Sequence, residues 1–156
     1  MAAHRGLRLS NAMPNATALK FGYPETLIAE HGSWLVLLRP RQPTLGALTI
    51  VNRGPERAFG ELGASAFAEL QPVVAAAERM LKSFTSYQRI NHLMLMMVDP
   101  DVHFHVLPRY EEPRDCEGHV FADAGWPGPP VLDSFVVLGA AERDTMVARL
   151  RELWRI

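Results

Sequence analysis

The chain has 156 residues, 48% hydrophobic and 21% charged, with a formal net charge of -1. That length allows one domain with its own core, the composition excludes a disordered chain, and the charge balance excludes a general electrostatic binder of nucleic acid or membrane surfaces. A single cysteine, Cys116, excludes an internal disulfide and a multi-cysteine metal cage, and points to a reducing compartment.

Residues 1–20 show no sustained hydrophobic period and read as a flexible N-terminal arm. They lack the apolar stretch of a secretory signal. The longest apolar run, Leu93 to Val98, is far below the ~20 residues that span a bilayer. A cytoplasmic location with no membrane partner is therefore expected, and the glycosylation pattern Asn15-Ala16-Thr17 has no role there.

From Thr26 the pattern becomes β-like. Thr26 to Glu30 and the apolar run WLVLL (Trp34 to Leu38) flank the turn signal His31-Gly32-Ser33, which predicts a hairpin. Arg39 to Pro43 breaks the second strand, because proline supplies no ladder donor. Gly46 to Val51 reads as a third strand. Phe67, Leu70, Val74, Ala77, Leu81 and Phe84 then recur at helical spacing, with Pro72 predicting a kink or a break.

Arg89 to Val98 and Val102 to Arg109 read as the fourth and fifth strands, paired antiparallel across a tight reversal at Asp99-Pro100. Residues 111–130 read as polar, irregular chain, and Leu132 to Leu138 as a strand or packed chain. A final helix carries Met146, Val147, Leu150, Leu153 and Trp154 on one face. Short turns with one intervening helix indicate an α+β domain. It has an antiparallel sheet of about five strands, one main helix between strands three and four, and a C-terminal helix. Residues 21–110 form the core, and 111–156 an extension packed on it.

The chemistry concentrates in DPDVHFHVLPRY, Asp99 to Tyr110. Successive strand side chains point to opposite faces, so Asp101, His103 and His105 should share one face, ~6.6 Å apart. A neutral imidazole is a competent nucleophile near pH 7, and a second one two residues on can donate to an oxygen that gains charge. As metal ligands, the same three residues supply two imidazoles and a carboxylate to Zn or Fe, in awkward geometry for one ion. Without chemistry, the histidines are a cross-strand or surface pair. The methionines at 94, 96 and 97 read as packing residues, His92 as a packing or surface residue, and Trp126 to Pro130 as a surface loop.

The stretch DVHFHVLPRY resembles the signature of the histidine triad (HIT) family, His-φ-His-φ-His-φ, in its last two histidines and the following Pro-Arg. The resemblance extends upstream through the helix to WLVLL and LGALTIV. It implies a HIT-like fold and a nucleotide hydrolase or nucleotidyl transferase acting at the α-phosphate of a dinucleoside polyphosphate or nucleoside phosphoramidate. His103 would be the nucleophile that carries the nucleotidyl intermediate, and His105 a phosphate contact.

Asn91 and Arg109 would be substrate-binding residues. No cofactor is required, although a divalent cation can accompany a polyphosphate substrate. The implied partners are a nucleotide and a second copy of the chain, with no nucleic acid. The first triad position is Asp101, expected to orient His103 as carboxylates orient catalytic histidines. The link from Asn91 to Asp101 lacks the usual Gly-Gln or Ser stretch. The alternative is a catalytically weak or inactive nucleotide-binding protein.

Overall fold

The computed structural model describes residues 13–156. Three helices, α1 (Ala16–Lys20), α2 (Ala64–Thr85) and α3 (Ala140–Leu153), accompany nine strands. These are β1 (Leu27–His31), β2 (Trp34–Leu38), β3 (Arg41–Gln42), β4 (Leu48–Asn52), β5 (Arg89–Leu93), β6 (His103–Arg109), β7 (Arg114–Cys116), β8 (His119–Phe121) and β9 (Val136–Val137). The central sheet has five strands in the order β1-β2-β4-β6-β5. Its neighbouring strands all run antiparallel. This is the α+β architecture expected, with α2 between the third and fourth strands of the sheet.

Alternation along the strands divides the sheet into two faces. Trp34, Val36, Leu38, Leu48, Ile50, Phe104 and Val106 turn to one face and pack with Val73, Ala77, Met80 and Leu81 of α2 and Met146, Val147 and Leu150 of α3. On the other face, Leu35, Leu37 and Val51 join a smaller cluster with Ala18, Phe21 and Tyr23 of the N-terminal segment. Register pairs His103 with Val51 and His105 with Thr49, so both histidines stand on this second face.

The second face explains why residues 13–20 are not the arm expected; residues 1–12 lie outside the described residues. Asn15 caps α1 by accepting from the Ala18 amide, and Thr17 and Ala18 are buried against the sheet. A five-residue helix has too few hydrogen bonds to stand alone, so tertiary burial holds it, and no period in so short a segment announces it.

Other departures have equally local causes. Of the kink or break expected at Pro72, the break does not occur: helix α2 is continuous over 22 residues. Burial of Val73, Ala76, Ala77, Met80 and Leu81 offsets the one lost backbone bond. The buried face is also rotated from the expected stripe, leaving Phe67 exposed. Strand β5 stops at Leu93 rather than Val98, the Leu93–His105 pair being the last of its ladder with β6. Residues 94–102 form a loop in place of a tight reversal, with Met96 in the left-handed region at φ 48°. Met97 (88% exposed) and Val98 (82%) are therefore on the surface, not in the core. The polar stretch after Tyr110 contains the β7–β8 hairpin, which the pattern did not predict, while β9, within the Leu132–Leu138 stretch expected as a strand or packed chain, pairs with β3.

Candidate functional site

His103 and His105 are adjacent on one face of β6, their ring centroids 5.2 Å apart and nearly perpendicular at 87°. Both are buried, at 2% and 6% exposure. His103 Nδ1 lies 2.6 Å from the main-chain carbonyl of Asp101. A carbonyl only accepts, so Nδ1 carries the proton and donates it, and the lone pair of the neutral ring is on Nε2. Burial pushes the pKa of His105 down to about 4, helped by the charges of Arg39 and His103. His105 is therefore a neutral imidazole at pH 7. Its Nδ1 sits 3.5 Å from the Thr49 hydroxyl.

Asp101 contacts His103 through its backbone carbonyl, not through its side chain. The expected carboxylate contact is replaced by hydrogen bonds from the amide and hydroxyl of Thr17, at 3.1 and 2.8 Å to Asp101 Oδ2. Strand geometry begins only at His103, so the face alternation does not extend back to Asp101. The hydrogen bonds of the Asp101 carboxylate thus go to Thr17 rather than to His103.

Beside His105 opens a cavity of about 440 Å³, lined by Lys20, Phe21, Arg39, Pro40, Arg41, Asp99 and apolar residues of neighbouring loops. Phe21 packs against both histidines, its ring centroid 5.5 Å from His105 and 6.0 Å from His103. Lys20 donates to Asp99 at 2.7 Å. The sequence showed Arg39 and Arg41 only as part of a strand break. Thr17, Lys20 and Phe21 lay within or next to a segment without a period, so no local signal marked them.

Asn91 and Arg109 share the sheet face of the histidines but are occupied elsewhere. Arg109 donates to both carboxylate oxygens of Asp123, at 2.7 and 3.1 Å, to Asn91 Oδ1 at 2.7 Å and to the Gly128 carbonyl at 2.8 Å. With the Arg109 side chain 5% exposed and that of Asp123 1%, the guanidinium is an internal strut holding the 111–130 segment to the sheet. Both Asn91 and Arg109 border a separate cavity of about 790 Å³ beneath Trp126 to Pro130.

No protein-family model matches this sequence, and no curated protein matches it. Solved structures do. A histidine triad (HIT) protein from Sinorhizobium meliloti is similar with a TM-score of 0.71 at 22% identity, covering 91% of this chain and 96% of its own. The fold is the histidine triad fold. A histidine triad protein from Bradyrhizobium japonicum gives 0.67 at 22% identity, over 83% of this chain and 90% of the other. A hypothetical histidine triad nucleotide-binding protein from Sulfolobus tokodaii gives 0.61 at 16%, over 82% of each chain. In this chain's version of the histidine triad fold, the His103–His105 face of β6 is roofed by α1 and the residues just after it.

Proposed function

We propose that this protein binds a nucleotide in the cavity beside His105 and that His103 attacks its α-phosphate, forming a nucleotidyl-histidine that water or another acceptor then releases. The observation that carries this reading is the 2.6 Å bond from His103 Nδ1 to the Asp101 carbonyl, which leaves Nε2 as the free nucleophile. His105, neutral beside it, donates to a non-bridging oxygen as charge builds up, an effect worth about 3 kcal/mol per donor. The nucleotide-binding description of the Sulfolobus relative supports the ligand class. His103 is 2% exposed, with the Phe21 ring centroid 6.0 Å from its own, so attack requires the site to open around it.

The reaction class implies a dinucleoside polyphosphate or nucleoside phosphoramidate as substrate. His103→Ala is expected to lower turnover at least about 10³-fold while AMP still binds. Intact-protein mass spectrometry with substrate should show a nucleotidyl adduct in the wild type and none in that variant. Unchanged turnover in His103→Ala sinks the reading. A second reading, a nucleotide sensor without turnover, is favoured by the commitment of the Asp101 carboxylate to Thr17, which leaves the first triad position with no side chain directed at His103. It requires saturable AMP binding with no adduct from any substrate.

The same reading places the protein in the cytoplasm as a homodimer. Two features support the dimer: β5 is an edge strand of the sheet, and beside it lies an apolar hollow of about 400 Å³ lined by Phe59, Leu70, Val74, Met94 and their neighbours.

A further inference from the structure

The cavity beside His105 carries more positive charge than a single α-phosphate requires. Lys20, Arg39 and Arg41 line it with one carboxylate, Asp99, which is ion-paired to Lys20. This concentration of cations stands out in a chain whose formal net charge is -1. Arg39 is the unusual member. Its Nε and Nη1 are buried and find no acceptor among the described residues. Burial, with the neighbouring charge of Arg41, depresses its pKa. Buried guanidinium donors without acceptors are costly, and the cost is relieved when an anion arrives. The Arg39 guanidinium lies 6.0 Å from the Phe21 ring, the same ring that covers the histidines.

The leaving group supplies an independent argument. Attack by His103 Nε2 forms an N–P bond and breaks the bond from phosphorus to the leaving atom, which takes the electron pair. An amine leaving in this way must be protonated. A leaving phosphate needs no proton at pH 7, because its last ionisation lies near 6. The cavity is poor in acids: Asp99 is paired with Lys20, and His105 is a neutral imidazole whose pKa lies near 4. Water then attacks phosphorus, the N–P bond breaks, its electron pair returns to Nε2, and the water proton passes to solvent.

We propose that Arg39, flanked by Arg41 and Lys20, is a subsite for an anionic leaving group, so that the preferred substrate carries further phosphates beyond its α-phosphate. The proposal rests on the reading of His103 as the nucleophile for its catalytic part, but the subsite itself is measurable without turnover.

The test is calorimetric binding of inorganic tripolyphosphate to wild-type protein, Arg39→Gln and Arg39→Lys, each checked for an unchanged thermal melt. Arg39→Gln should weaken binding at least about tenfold, as expected for losing a charge-assisted contact. Arg39→Lys, which keeps the charge, should recover part of the loss. Kinetically, the ratio of kcat/KM for a dinucleoside triphosphate over a nucleoside phosphoramidate should fall at least about tenfold in Arg39→Gln. Equal tripolyphosphate affinity in folded Arg39→Gln overturns the subsite, as does an unchanged ratio. Arg39-dependent tripolyphosphate binding without an adduct on His103 supports the subsite and removes the hydrolase reading, so the two failures are separable.

Discussion

At the scale of single residues, the site is decided by where three polar groups find their partners. His103 is set by a backbone carbonyl, Asp101 is turned to Thr17, and Arg39 is left with buried donors that lack acceptors among the described residues. His105 yields a prediction in pH. Its ordinary pKa of 6.5 is pushed down to about 4 in the folded chain, mainly by burial. Between those values the unfolded chain binds a proton that the folded chain refuses, so stability falls as the pH drops through this window. The contribution is present in full above about 6.5, is lost below about 4, and amounts to roughly 3 kcal/mol. Urea unfolding at pH 7.5 and 4.5 should show the loss, and His105→Asn should flatten it. An equally steep loss in the variant contradicts the assignment.

At the scale of elements, α1 closes the histidine face. It is held by the Thr17–Asp101 hydrogen bonds, the Lys20–Asp99 ion pair and burial of Ala18. The ion pair has an exposed lysine and adds little; the buried hydroxyl bond matters more. Thr17→Val should cost about 1–2 kcal/mol, since it leaves a buried carboxylate with one donor fewer. In a double-mutant cycle with Asp101→Ala the two losses should not add, because both remove the same bond. Additive losses would show that Thr17 acts through packing alone. The elements of the sheet were legible from sequence wherever one face is buried: WLVLL is β2 residue for residue, and β6 differs from its expected range by one residue. Helix α1 and the β7–β8 hairpin were not, because their backbone conformation is stabilised by distant packing rather than by a repeating local pattern.

At the scale of the whole molecule, both faces of the sheet carry apolar clusters and β5 stands at one of its edges. Helices α2 and α3 cover the main core face, while Phe67, partly exposed on α2, makes an edge-to-face contact with Phe59 at 5.2 Å. Together with the free edge of β5, this surface forms the proposed dimer contact. An interface of ordinary size buries about 1,600 Å² in total. Light scattering should find a dimer at micromolar concentration in the wild type and a monomer in the double variant Phe67→Glu, Val74→Glu, with the helical circular dichroism retained. A monomeric wild type would remove the dimer from the account. None of the described helices is long and apolar enough to cross a membrane.

The sequence by itself determined the α+β class, the paired strands β5 and β6, the helix between β4 and β5, and the placing of His103 and His105 side by side. Those are consequences of periodicity: alternation on a strand and the 3.6-residue turn of a helix state which face a residue occupies. Only the tertiary structure decided what each of those faces meets. Thr17 reaches Asp101 across 84 residues of chain, and Arg109 is captured by Asp123 from a segment that reads as loop. Arg39, half-buried beside a strand break, faces the cavity beside His105. A local pattern reports orientation relative to the backbone. The identity of a distant partner depends on how the completed sheet, the short helix and the loops pack together, and at this site those packings assign the roles.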